Sequence, residues 1–152
     1  MSNVLVLGFM KPQIALLMSN NFSVKYRIYW EDTDAQGVVY YANYLKFAER
    51  ARTEFLRHLN LVQTDLKEKE KLFFVVRKCE IEYFKSAKLD DIIEVSVVVN
   101  EVRNSSLEMQ QICRNNSEEL TSIKVQIVCI DSENMRPKKI PQFIKDLLET
   151  VG

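Results

Sequence analysis

NYLKFAERARTEFLRHL, residues 43–59, is the only stretch of the chain whose helical period runs long enough to cover a sheet. Tyr44, Phe47, Ala48, Ala51, Phe55 and Leu59 recur on one side at helical spacing. Lys46, Glu49, Arg50, Arg52, Glu54 and Arg57 supply the charge. Small Ala48 and Ala51 in the apolar stripe let another backbone come close, as a helix laid on a sheet requires. Before this helix, Val24 to Trp30 reads as a strand rich in aromatic and β-branched residues, and Glu31 to Gly37 as an acidic turn. After it, residues 60–71 form a polar connection with room for a short helix in DLKEKEK.

From Leu72 onward the period changes to two. Residues 72–84 read as one long strand in which Cys79, Ile81 and Tyr83 alternate with Lys78, Glu80 and Glu82. Ile92 to Arg103, Leu107 to Cys113 and Leu120 to Ile130 follow as strands, divided by Asn104-Ser105 and by Asn115-Asn116-Ser117. Pro141 suits the first turn of a closing helix whose inner face holds Phe143, Ile144, Leu147 and Leu148. The order is strand, long helix, then four strands joined mostly by short turns, which favours antiparallel pairing. That predicts an α+β fold, with a sheet of about five strands curled around one long central helix.

A length of 152 residues fits a single core, placed at 23–152. Residues 1–22 read as an extension, disordered or loosely docked; MSNNF at 18–22 repeats the opening MSN and leaves Met18 as an alternative start. Lys11 and Pro12 interrupt the apolar N-terminal run before it nears the ~18 residues of a membrane span. No basic region precedes Val4 as a secretory signal needs. Lys and Arg (21) balance Asp and Glu (21), so no basic excess points to nucleic acid. The three cysteines, Cys79, Cys113 and Cys129, form no CxxC pair, which suits reduced thiols in a cytoplasmic protein. The single histidine, His58, leaves no material for a His/Cys metal cluster and has no GxSxG partner for a serine triad. His58 itself suits a solvent-facing place at the helix C-terminus.

The densest chemistry lies in WEDTDAQGVVYYANY, residues 30–44, where Glu31, Asp32 and Asp34 fall at a strand end just before glycine and a helix start. The plain reading is a solvated acidic turn. The chemical reading is that free N–H groups at the helix start form an oxyanion hole while a carboxylate activates water or attacks an acyl carbon. Thioesters suit such equipment, because a thiolate leaves without a strong general acid.

Residues 29–57, YWEDTDAQGVVYYANYLKFAERARTEFLR, closely resemble the signature of the YbgC-type acyl-CoA thioesterases in the 4-hydroxybenzoyl-CoA thioesterase family. VVRKCEIEYFKSAKLDDIIEV at 75–95 resembles the family's following strand, loop and strand. The resemblance covers roughly residues 23–145 and implies a hotdog fold. It implies hydrolysis of an acyl-CoA to free acid and thiol, with no metal and no cofactor, in lipid metabolism. It places the catalytic carboxylate on Asp34 as nucleophile or general base, and the oxyanion donor on the backbone N–H of Tyr41. Gly37 would allow the turn, Asn43 would cap or brace the helix, and Asp32 is either a second site carboxylate or structural. Glu49 is the competing helix carboxylate, with a bracing ion pair to arginine as its other reading. Val76, Arg77 and Lys78 would line the pantetheine channel, and Arg136, Lys138 and Lys139 would meet the coenzyme A phosphates. Family members commonly carry histidine where this chain has Tyr41, a change the backbone role survives. The resemblance also implies a homodimer or homotetramer with sites between subunits, and coenzyme A or acyl-carrier protein as thiol carrier. A non-hydrolytic acyl-CoA or acyl-carrier-protein binding protein on the same scaffold is the alternative. A dehydratase is disfavoured because His58 lies outside the motif.

Overall fold

The computed structural model describes residues 22–152. The extension assigned to 1–22, and with it the Met18 alternative, lies outside the described residues except for Phe22. That residue opens strand β1 (Phe22–Arg27) and pairs with Val97. A single 3-10 turn, Trp30–Asp32, precedes helices α1 (Asn43–His58) and α2 (Gln63–Lys69). Strands β2 (Leu72–Tyr83), β3 (Ile92–Val102), β4 (Ser106–Asn115) and β5 (Glu118–Asp131) follow, then helix α3 (Gln142–Thr150). All neighbours pair antiparallel in the order β1-β3-β4-β5-β2. This is the expected α+β hotdog arrangement.

Helix α1 lies on the inner face of the sheet. Its Tyr44, Phe47, Ala48, Ala51 and Phe55 are buried in one cluster with Val95, Val97, Met109 and Ile123 of the strands. Phe47 stacks on Tyr26 of β1 at 5.4 Å, and Phe55 meets Phe22 edge-on at the same separation. The helix ends because Asn60 adopts φ +60°: Leu61 N–H then donates to Leu56 O and Asn60 N–H to Arg57 O at 2.8 Å each. This double closure satisfies carbonyls the helix leaves open, and an asparagine tolerates the left-handed conformation it needs.

The first strand ends earlier than its composition suggests. Tyr29 and Trp30 are strand-like residues, but Asp32 Oδ2 accepts the Tyr29 N–H at 2.8 Å and winds the segment into a turn. Both aromatics stand exposed. The alternation expected within β2 also fails to sort its two faces. Leu72 is buried, but Val76 to Glu80 are exposed throughout and Tyr83 with them. The reason is position: β2 is an edge strand with a register shift between Val76 and Lys78. In β4, at the centre, the alternation holds, and Leu107, Met109, Gln111 and Cys113 all point inward and are buried. In α3, Ile144 and Leu148 face the core while Phe143 stays outside, and Pro141 stands at the N-cap rather than in the first turn.

All three cysteines are free. Burial pushes the Cys113 thiol up to about 12 and the Cys129 thiol to about 11, against 9.0 when free. Above pH 9 the unfolded chain releases these protons and the folded one keeps them, so stability present below pH 9 is lost as pH rises toward 12. At pH 10 the loss is roughly 1.4 kcal/mol per thiol. Thermal melts from pH 8 to 10 should show that decline, with a shallower slope in Cys113→Ala; equal slopes would refute the assignment.

Candidate active site

Residues 32–43 fold into a small hairpin that ends on the first turn of α1. Thr33 bridges Val39, the Asp34 N–H donates to Val38 O at 2.9 Å, and Gly37 N–H donates back to Asp34 O at 3.0 Å. Gly37 takes φ +78°, which a side chain would oppose although the space beside it is open. Asp32 O accepts both the Tyr40 N–H and Asn43 Nδ2, each at 2.9 Å. The hairpin is thereby tied to the helix start. The Asp32 carboxylate accepts the Tyr29 N–H through Oδ2, which fixes the turn before the hairpin. Asn43 braces the helix rather than capping it; the N-cap is Ala42, with no side-chain bond.

This construction brings Asp34 and Tyr41 to the two sides of one turn. Asp34 is half-buried, and its Oδ1 accepts the Gln36 N–H at 2.8 Å. Its Oδ2 has no partner among the described residues. The Tyr41 N–H lies just outside the helix and donates to no acceptor among them. The Tyr41 carbonyl is taken by the Tyr83 hydroxyl, which donates to it at 3.1 Å from the end of β2. Tyr40, Tyr41, Tyr44 and Tyr83 form a chain of edge-to-face rings around the helix start. The Tyr44 hydroxyl accepts the Ala87 N–H at 2.9 Å, and burial pushes its ionisation above the ordinary phenol range.

Glu49 lies further along α1, in an ion pair with Arg52. The Arg52 guanidinium is buried and donates to Gln111 Oε1 at 2.7 Å, while Gln111 Nε2 donates to Ala48 O at 2.9 Å. Glu49 is thus braced from the core through a charged side chain that itself has satisfied partners. Glu54 pairs with Arg57 on the surface, and exposed His58 rests its ring against Phe22. Val76 and Arg77 are exposed on the free edge of β2, and Lys78 pairs with Glu80 on the outer face. Lys138 is committed to its own fold: Nζ donates to Glu70 O at 2.9 Å and lies 3.5 Å from Asp131 Oδ2. Arg136 and Lys139 remain exposed beside it. This basic loop adjoins the start of β2, whereas Asp34 and Tyr41 adjoin its end, so one protomer does not bring the two sets together.

Residues 28–148, which include the hairpin, the helix and the whole sheet after β1, match the family model of the thioesterase-like superfamily. The chain belongs to this superfamily. Within it, the chain is 43% identical over 129 residues to the acyl-CoA thioesterase YbgC of Haemophilus influenzae, covering 85% of this chain and 95% of that relative. It is 44% identical over 119 residues to the acyl-CoA thioester hydrolase YbgC of Escherichia coli O6:H1, covering 78% and 88%. A solved structure described as a probable thioesterase from Bartonella henselae superposes with a TM-score of 0.76 at 35% identity, covering 80% of this chain and 99% of that one. The YbgC-type resemblance of the motif thus extends over most of the chain.

Two features of this thioesterase-like site escaped the sequence. Tyr83 reads as one more alternating strand residue, and nothing local shows that its hydroxyl reaches Tyr41 O. Arg52 reads as part of the charged helix face, yet it is buried. The signal was available in principle: Gln111 stands at an inward position of β4, and a buried amide requires a polar partner.

Proposed function

We propose that the chain hydrolyses acyl-CoA thioesters at the Asp34 turn. The observation carrying this reading is that one hairpin holds a carboxylate, Asp34, whose Oδ2 has no partner among the described residues, and an N–H, at Tyr41, that donates to no acceptor among them. The names of the 43–44% identical relatives point the same way. With the thioester carbonyl oxygen at the Tyr41 N–H, negative charge developing on that oxygen meets a donor backed by the positive end of α1. Two routes use the same atoms. As general base, Asp34 takes a proton from water, the hydroxide adds to the acyl carbon, and the tetrahedral species expels the thiolate, which recovers the proton as thiol. As nucleophile, Asp34 forms an acyl anhydride with loss of thiolate, and water then cleaves the anhydride to free acid.

The thiol carrier in this reading is coenzyme A, with exposed Arg77, Arg136 and Lys139 as phosphate contacts. The working unit is a homodimer formed along β2. This edge strand is 12 residues long, unpaired on its outer side among the described residues, and lies beside exposed Tyr41, Val76, Tyr83 and Phe84. Soluble proteins rarely leave such an edge uncovered. A dimer of dimers is compatible with it. The free thiols fit a cytoplasmic setting. Among the described residues no helix is long and apolar enough to cross a membrane.

A panel of acyl-CoA substrates with thiol detection tests the proposal. Release of free thiol with multiple turnovers is expected. Saturable binding with no turnover would replace it with the non-hydrolytic alternative.

A further inference from the structure

Tyr41 lies inside a β-turn. Asn43 N–H donates to Tyr40 O at 2.9 Å, so Tyr41 and Ala42 are the two central residues and the peptide between them is the central plane of the turn. Ala42, at φ −71° and ψ −21°, sets the helix-like type I form. In helix-like backbone, carbonyls point toward the C-terminal end of the helix and N–H groups point back from it. The plane before the central one carries the Tyr41 N–H and is held by the bond from Asn43. The central plane has no backbone partner among the described residues: Tyr41 O accepts no backbone N–H, and Ala42 N–H donates to no acceptor. Its one hydrogen bond among them is the one from the Tyr83 hydroxyl to Tyr41 O, at 3.1 Å.

We propose that Tyr83 is a positioning residue for thioester hydrolysis: its hydroxyl holds the Tyr41 carbonyl on the side of the turn away from the developing oxyanion. This rests on the thioesterase reading above and adds how the oxyanion donor is kept in place. Types I and II of a β-turn differ by reversal of the central plane. Full reversal needs φ of about +80° at the third position, which an alanine opposes. Rocking of the plane about its type I position is the motion left to restrain. Such rocking swings the negative end of the Tyr41 carbonyl dipole toward the thioester oxygen as that oxygen gains charge. A donor fixed beforehand avoids this reorganisation.

Tyr83 is built to act from outside the turn. It ends β2, where its backbone pairs with Thr121 of β5, and the next N–H, of Phe84, donates to Leu120 O at 2.8 Å. Its ring stands edge-on to Tyr41 at 6.1 Å and to Tyr44 at 6.0 Å, and buried Tyr44 is itself fixed by the Ala87 N–H. The sheet therefore delivers the hydroxyl to the helix start. Burial also pushes the ionisation of Tyr83 above the ordinary phenol range, so the donor keeps its proton at neutral pH.

Tyr83→Phe tests this on the full chain, since it keeps the ring and removes the hydroxyl at a half-exposed position. With a good acyl-CoA substrate, kcat should fall about three- to tenfold while KM stays within about twofold. Two non-hydrolysable coenzyme A analogues separate positioning from general loosening of the site. A trifluoromethyl ketone, whose tetrahedral adduct carries the oxyanion, should bind more weakly by about the factor lost in kcat. A thioether without the carbonyl should bind within about twofold of wild type. Unchanged kcat in Tyr83→Phe beside an active wild type overturns the proposal, and so does an equal weakening of both analogues. A wild-type protein that hydrolyses no thioester is a different result: it refutes the functional reading, and the positioning role falls with it.

Discussion

Asp34→Asn should lower kcat for thioester hydrolysis by about 10²–10⁴-fold and leave KM nearly unchanged. The substitution is conservative for the fold. The Gln36 N–H donates to Oδ1, which an asparagine retains, and the Asp34 backbone bonds to Val38 and Gly37 do not involve the side chain. What is lost is the anionic Oδ2, the atom that either removes a proton from water or attacks the acyl carbon. A melting temperature close to wild type with turnover reduced by that factor is the expected pair of results. Equal turnover in both proteins would remove Asp34 from the mechanism. Glu49→Gln provides the contrast. Glu49 is bound to Arg52 and stands at a pocket mouth, so its loss should act on KM and substrate preference more than on kcat. If Glu49→Gln abolishes turnover and Asp34→Asn does not, the helix carboxylate takes the role.

The second large effect concerns a backbone atom. Tyr41→Pro removes the N–H assigned to the oxyanion, whereas Tyr41→Ala keeps it. Removing one oxyanion donor costs about 10²–10³-fold in kcat. Tyr41→Pro should show a loss of that size, and Tyr41→Ala a change of only a few-fold. The comparison isolates the amide, because both variants lose the same ring contacts with Tyr40 and Tyr83. Tyr41 is not in the left-handed region, and its N–H bonds to nothing else described, so proline removes no other hydrogen bond there. Equal losses in the two variants would shift the role from the amide to the side chain. That outcome bears on the position itself, where the resembled family commonly has histidine.

Helix α1 was legible because its burial follows the 3.6-residue period: the stripe from Tyr44 to Phe55 is what lies inside. Its end was less legible, since Asn60 closes it through a left-handed conformation that an asparagine only permits. The Tyr29-Trp30 segment misled for the opposite reason. Strand propensity belongs to side chains, but one carboxylate three residues on, Asp32, captured the backbone and turned it. Alternation was reliable in β4, which has neighbours on both sides and α1 above it. It was unreliable in β2, whose edge position removes the contrast between faces. Among the site candidates, Asp34, Gly37 and Asn43 could be placed from the motif because they sit within one short hairpin. Lys138 could not, because its partners, Glu70 O and Asp131, come from the far side of a long connection and from the end of a strand.

By itself, the order of residues determined the local elements and the carboxylate-glycine-helix turn, since each depends on neighbours a few positions away. Tertiary structure alone decided that β2 stands at the edge, that Tyr83 reaches Tyr41, and that Arg52 is buried against Gln111. Those are contacts between segments far apart in the chain, chosen by which faces must leave water, and no local period encodes them.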